Sequence, residues 1–133
     1  MSRSGYHDDG DDTLALGRWR AQVASAIRGR RGQSFLKELA AAMDAMPEKI
    51  LITGELINPE GDCCAIGVVC KARGLDVRQV DEHAPDEVGR FVDIAHQLAA
   101  EIAYENDEYG LRNETPEQRW ARMRAWVSEQ IRS

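Results

Sequence analysis

Six basic side chains fall between positions 18 and 37: Arg18, Arg20, Arg28, Arg30, Arg31 and Lys37. No acid interrupts them. A guanidinium binds a phosphate or carboxylate through two parallel N–H donors, so this cluster has the chemistry of an anion-binding surface. Arg28, Arg30 and Arg31 flank Gly29 and Gly32, at an expected junction between two helices. The competing reading is a solvated helix end. Cations there meet the negative end of the helix dipole and gain roughly 0.3–1 kcal/mol with no partner at all. Nothing in the segment interleaves aromatic and basic residues or forms a recognition helix, so base reading is not indicated.

Other chemistry-bearing residues make weaker patterns. His7 stands with Asp8, Asp9, Asp11 and Asp12 around Gly10. A calcium loop needs ligands at alternating positions and a distal glutamate, and this spacing does not match. Residues 1–12 therefore read as a flexible acidic leader, with Tyr6 able to pack back on the domain. Cys63, Cys64 and Cys70 lack metal spacing and read as small buried hydrophobes. A thiol brought to His83 or His96 by folding is the remaining route to nucleophilic catalysis. Asn106 and Asp107 close a predicted helix, where a ligand and a capping role compete. Trp19, Trp120 and Trp126 lie on apolar stripes, so core packing competes with an interface. No pattern calls for a catalytic residue, a metal or a cofactor.

The whole chain has 133 residues, with 17 Lys+Arg against 23 Asp+Glu and a net charge of -6. The +6 segment therefore sits in an otherwise acidic body. Hydrophobic residues at 43% exclude a wholly disordered chain, and three Cys exclude a disulfide scaffold. No apolar run approaches the roughly 18 residues of a membrane span. The polar first residues do not read as a secretory signal, and a reducing bacterial cytoplasm fits best.

The elements that must position these residues follow from periodicity. Leu16, Trp19, Val23 and Ile27 form one helical stripe, which leaves Arg18, Arg20 and Arg28 to solvent. Gly29 stops this helix, and Arg30, Arg31 and Gly32 form the link. A second helix runs from about Gln33 to Met46 on Phe35, Leu36, Leu39, Met43 and Met46, making an αα-hairpin. Residues 49–66 read as a β-hairpin, with Gly54 at a bulge and Asn58-Pro59-Glu60-Gly61-Asp62 as the turn. A short helix spans Gly67 to Arg73 and ends at Gly74. Leu75 to Ala84 is irregular. Pro85 opens the next helix, which breaks or restarts near Asp93 and ends around Tyr104 to Asp107. Thr115-Pro116-Glu117-Gln118 carries a capping box and opens the last helix, on Trp120, Met123, Trp126 or Val127, and Ile131. The expected class is α+β: a mainly helical single domain over 13–133, about five helices, with one β-hairpin near 49–66.

Several stretches together carry a resemblance. They are Arg3-Ser4-Gly5-Tyr6, Arg18-Trp19-Arg20, Ser25 to Gln33, Cys64-Ala65-Ile66-Gly67-Val68-Val69, Tyr104-Glu105-Asn106-Asp107 and Thr115 to Trp120. The pattern resembles small uncharacterised proteins encoded by bacteriophages and prophages of proteobacteria, from Arg3 to about Trp126. Those proteins often carry an aromatic residue where this chain has Leu14 or Leu16. The resemblance implies no catalytic residues. It implies a phage context, in which small acidic proteins often bind a host protein or nucleoprotein complex. Blocking a CRISPR effector or another defence complex is one such role. The leading expectation is a non-enzymatic host-protein binder acting through Arg18, Arg20, Arg28, Arg30 and Arg31. A nucleic-acid-binding module using residues 18–37 is the alternative, and a small enzyme the second. Oligomeric state stays open, since Trp19 or Trp126 could face a second copy.

Overall fold

The computed structural model describes residues 3–6, 13–110 and 113–132. Among them are six α-helices: α1 (Thr13–Arg28), α2 (Arg30–Asp44), α3 (Ala65–Arg73), α4 (Pro85–Val92), α5 (His96–Asp107) and α6 (Pro116–Gln130). A 3-10 turn, Val77–Gln79, joins α3 to α4. No strand occurs among the described residues, so the fold is all-helical rather than α+β.

The expected β-hairpin is replaced by an irregular segment with a single antiparallel bridge, Ile57 to Cys63. Its turn was legible: the Asn58 side chain accepts from the N–H groups of Glu60 and Asp62, and Gly61 has φ 87°. The two sides still bond through the Ile52 N–H to the Cys63 carbonyl and the Cys64 N–H to the Leu56 carbonyl, but the ladder goes no further because other backbone groups are taken elsewhere. The Leu51 N–H goes to the Pro116 carbonyl, and the Leu56 N–H to the Glu82 carboxylate. The Ile52 carbonyl accepts from Asn106. A backbone group bonded to another element cannot also hold a neighbouring strand.

The helical hairpin of α1 and α2 is tighter than its sequence suggests. Gly29 alone separates the two helices, so Arg30, Arg31 and Gly32 belong to the first turn of α2. Gly32 meets a different need from a turn. A Cβ there would stand 1.9 Å from the Ala26 carbonyl oxygen, so only glycine allows the helices to cross this closely. Gly67 does the same for α3, where a Cβ would lie 1.8 Å from the Leu56 carbonyl. That helix starts at Ala65 with Cys64 as its cap, two residues earlier than expected, and ends at Gly74 with φ 73° as expected.

Helix α2 runs through the middle, against α1, α3 and α6, while α5 packs on α1, α3, α4 and α6. Phe35, Leu36, Leu39 and Met43 of α2 meet Val69, Leu98, Ile102, Met123 and Val127 in one continuous core. Each fully buried large apolar side chain contributes about 1.5–3 kcal/mol relative to exposure. All three tryptophans pack half-buried against this core. Leu16 does not: it lies on the predicted stripe but is 59% exposed, and burial along α1 begins at Trp19. No helix of the described residues is long and apolar enough to cross a membrane.

Candidate functional site

The α1–α2 corner gathers most of the basic segment at the surface. Arg18, Arg28 and Arg30 are exposed, and none has an ion-pair partner among the described residues. Arg31 reaches Asp93 at 3.2 Å, but both side chains are more than half exposed, so this pair holds weakly. Lys37 lies two helical turns beyond Arg30 on α2 and is also exposed. Arg18, Gln22 and Ser25 share one face of α1 at i, i+4 and i+7. Gln22 and Ser25 then line an open cavity of about 450 Å³ with Gly29, Arg30, Arg31 and Gln97. The Gln97 amide donates to the Gln22 side-chain oxygen at 3.3 Å.

Two features of this corner lay beyond local pattern. Arg20 does not belong to it. Its guanidinium grips the buried Glu101 carboxylate at 2.7 and 2.9 Å, and that hydrogen bonding raises its pKa further. Arg20 is solvated as expected, at 52% exposed, but its guanidinium already holds an internal carboxylate. Arg132 is the opposite case. Its backbone N–H donates to Gln33 Oε1 at 2.7 Å, which brings the chain's last arginine to the first turns of α2. Gln33 is the fastener, since its amide also donates to the carbonyls of Ile27 and Gln130. Arg132 is exposed and has no ion-pair partner among the described residues.

A second polar cluster is buried at the other end of α5. Residues Arg3 to Tyr6 form a strap across it. Arg3, 3% exposed, holds Asp107 through two bonds of 2.8 and 2.7 Å and donates to Cys64 Sγ at 3.3 Å. Burial opposes its charge, but Cys64 and Asp107 outweigh burial and leave its pKa raised. Ser4 donates to Glu108. The Tyr6 hydroxyl donates to Glu101 and accepts from Trp19. Asn106 sits at the centre: it accepts from the Ala65 N–H and donates to the Ile52 carbonyl and to Asp107. Arg122 closes the end of α5 through the Glu105 and Asn106 carbonyls, and pairs with Glu114 at 2.6 Å. That pairing holds the Glu114 carboxyl below its usual range. Asn106 and Asp107 thus fasten loops and helices to one another. His7 and the aspartates at 8, 9, 11 and 12 lie outside the described residues.

The cysteines are buried. Burial pushes the thiols up, to about 11 at Cys63 and about 12 at Cys70. His83 and His96 are exposed, and neither side chain bonds to a cysteine. The Cys64 thiol instead caps α3, accepting from the Gly67 N–H at 3.5 Å. Comparison of the chain with known protein families, curated proteins and solved structures returns no match.

Proposed function

We propose that this protein acts by binding, and that its α1–α2 corner receives the carboxylate-rich surface of another protein. The position of Arg30 and Arg31 carries this reading. Both stand in the first turn of α2, which has no acid and no side-chain cap. The helix dipole disfavours cations there by a few tenths of a kcal/mol each, so local stability does not account for them. An incoming anion relieves that repulsion and meets the two guanidinium groups together. Elsewhere Arg3, Arg20, Arg73, Arg78, Arg90, Arg119, Arg122 and Arg124 each have an internal carboxylate. Arg18, Arg28, Arg30 and Arg132 have none among the described residues.

The motifs that resemble phage and prophage proteins supply the class of partner. It is a host protein or complex in the bacterial cytoplasm, with a defence assembly such as a CRISPR effector as the proposed target. Co-purification from a proteobacterial host with wild-type chain and an Arg30→Glu/Arg31→Glu variant tests this. A partner retained by the wild type and lost by the folded variant is expected. Equal retention by both moves the interface away from the corner. A gel shift of DNA or RNA whose affinity falls steeply with salt would replace the acidic protein by nucleic acid.

A further inference from the structure

The corner occupies one end of α2, and a cleft of opposite character occupies the other. Helix α2 has 15 residues, so the two lie about 20 Å apart along its axis. The cleft, of about 440 Å³, lies between the last turn of α2, helix α3 and the turn at 58–62. It shares no lining residue with the corner cavity. Its walls are apolar, with Ala42 and Met46 from α2, Ile50 just beyond it and Val68 from α3. Ala42, Met46 and Ile50 are only half-buried, and Ala45 and Ala72 beside them are exposed. Its rim is acidic. Glu48, Glu60 and Asp62 line it, and none has an ion-pair partner among the described residues. Other acids of α2 are neutralised: Glu38 holds Arg73, and Asp44 holds Arg124. The lysines nearby do not answer the rim. Lys71 on the wall donates to the Gly61 carbonyl at 2.9 Å, and Lys49 beside Glu48 donates to the Asp44 and Met46 carbonyls.

An apolar groove with a negative rim selects what enters it. An apolar side chain gains by leaving water for the walls. A cation beside it gains from the rim carboxylates and from the negative end of α2, whose last turn carries no basic residue. An acidic segment is repelled by the same groups. We propose that this cleft docks a basic amphipathic segment of a partner protein. Its apolar side chains rest on Ala42, Met46 and Ile50, and its Lys or Arg side chains meet Glu48, Glu60 and Asp62. Grooves of this kind read a segment through apolar side chains that recur on one face. Helix α2 then joins two docking surfaces of opposite sign, one at each end.

The probe is a synthetic helical peptide with leucines on one face and lysines on the other, titrated into the full ¹⁵N-labelled chain. Amide shifts are expected at Ala42, Met46, Val68 and Ala72, and not at Arg28 to Arg31. Replacing the peptide's lysines by glutamate, or its leucines by serine, should each weaken binding at least about tenfold. Glu48→Lys/Glu60→Lys should weaken it as much, and both side chains are exposed, so the fold should survive. Glu87→Lys/Glu129→Lys changes net charge equally on α4 and α6, which do not line the cleft, and should leave binding within about twofold. Equal loss in the two variants reduces the effect to overall charge and overturns the proposal. So do shifts centred elsewhere, or a serine-faced peptide that binds as well as the leucine-faced one. Shifts of the same amides that depend on protein concentration, without peptide, give the cleft to a second copy and also overturn it. If Glu48→Lys/Glu60→Lys does not fold, the wild type decides through the three peptides. Failure here leaves the corner reading standing, since that surface takes acidic partners.

Discussion

The two polar regions of this molecule treat the same side chain in opposite ways. In the strap cluster, Arg3 is enclosed and each carboxylate oxygen of Asp107 accepts one of its N–H groups. At the α1–α2 corner, Arg28 and Arg30 are exposed and no acid among the described residues pairs with them. A buried charge without a partner costs several kcal/mol, so the first arrangement must be complete for the chain to fold. An exposed charge costs almost nothing, so the second can stay open for something outside the molecule. Arginine content says little about function here. Whether the arginine is already satisfied says more.

The largest test of this contrast removes a buried partner. Arg3→Ala should destabilise the protein by about 3–5 kcal/mol, because it leaves Asp107, only 12% exposed, without its counter-ion. Urea unfolding measures this, and a loss below about 1 kcal/mol would show that the strap is not structural. Next comes the Glu105 carboxyl, buried on α5, to which no described residue donates a hydrogen bond. Wild-type stability should fall between about pH 4.5 and pH 7, as Glu105 loses its proton. Glu105→Gln should flatten that fall and be the more stable protein at pH 8, by on the order of 1–2 kcal/mol. Thermal melts across pH check the sign, and a wild type that gains stability over this window reverses it.

A smaller effect is expected at the capping box of α6. Thr115 Oγ1 accepts from the Gln118 N–H at 3.1 Å, and Gln118 Oε1 from the Thr115 N–H at 2.9 Å. Thr115→Ala should cost about 1 kcal/mol, read as a lower melting temperature. The smallest change belongs to the corner. Arg30→Glu/Arg31→Glu should alter stability by no more than about 0.5 kcal/mol, because glutamate suits the first turn of α2. A large loss there would make the corner a structural element like the strap, and the contrast would disappear.

Local pattern placed much of this correctly. The stripe of Trp19, Val23 and Ile27 made α1 legible, and Phe35 to Met43 made α2 legible. Gly74 and the Thr115 box marked their helix ends in advance. Each signal depends on residues within one or two turns. The misreadings share the opposite property. The segment 49–66 has hairpin composition and keeps the bonds Ile52 N–H to Cys63 and Cys64 N–H to Leu56, but its other groups go to Pro116, Glu82 and Asn106, far along the chain. Leu16 continues a valid stripe into the start of α1, where it stays 59% exposed. Arg20 lies on the flank of α1, solvated as periodicity predicts, and only its pairing with Glu101 of α5 was hidden.

The candidate site divides in the same way. Clustered charge at Arg28, Arg30 and Arg31 is a matter of adjacency, and adjacency can be read directly. That Arg30 and Arg31 occupy the unfavourable end of α2 depended on where the link ended, and Gly29 alone proved to be enough. Arg132 joined the corner through one side chain, Gln33, that spans α1, α2 and the end of α6.

The sequence alone determined the apolar stripes of the helices, the Gly74 and Thr115 helix ends, the acidic body and the basic segment, because those follow from composition and from contacts within a few residues. Only the tertiary structure decided which arginines are satisfied and which stand open. That depends on long-range burial, where bringing a carboxylate out of water forces a distant cation to meet it.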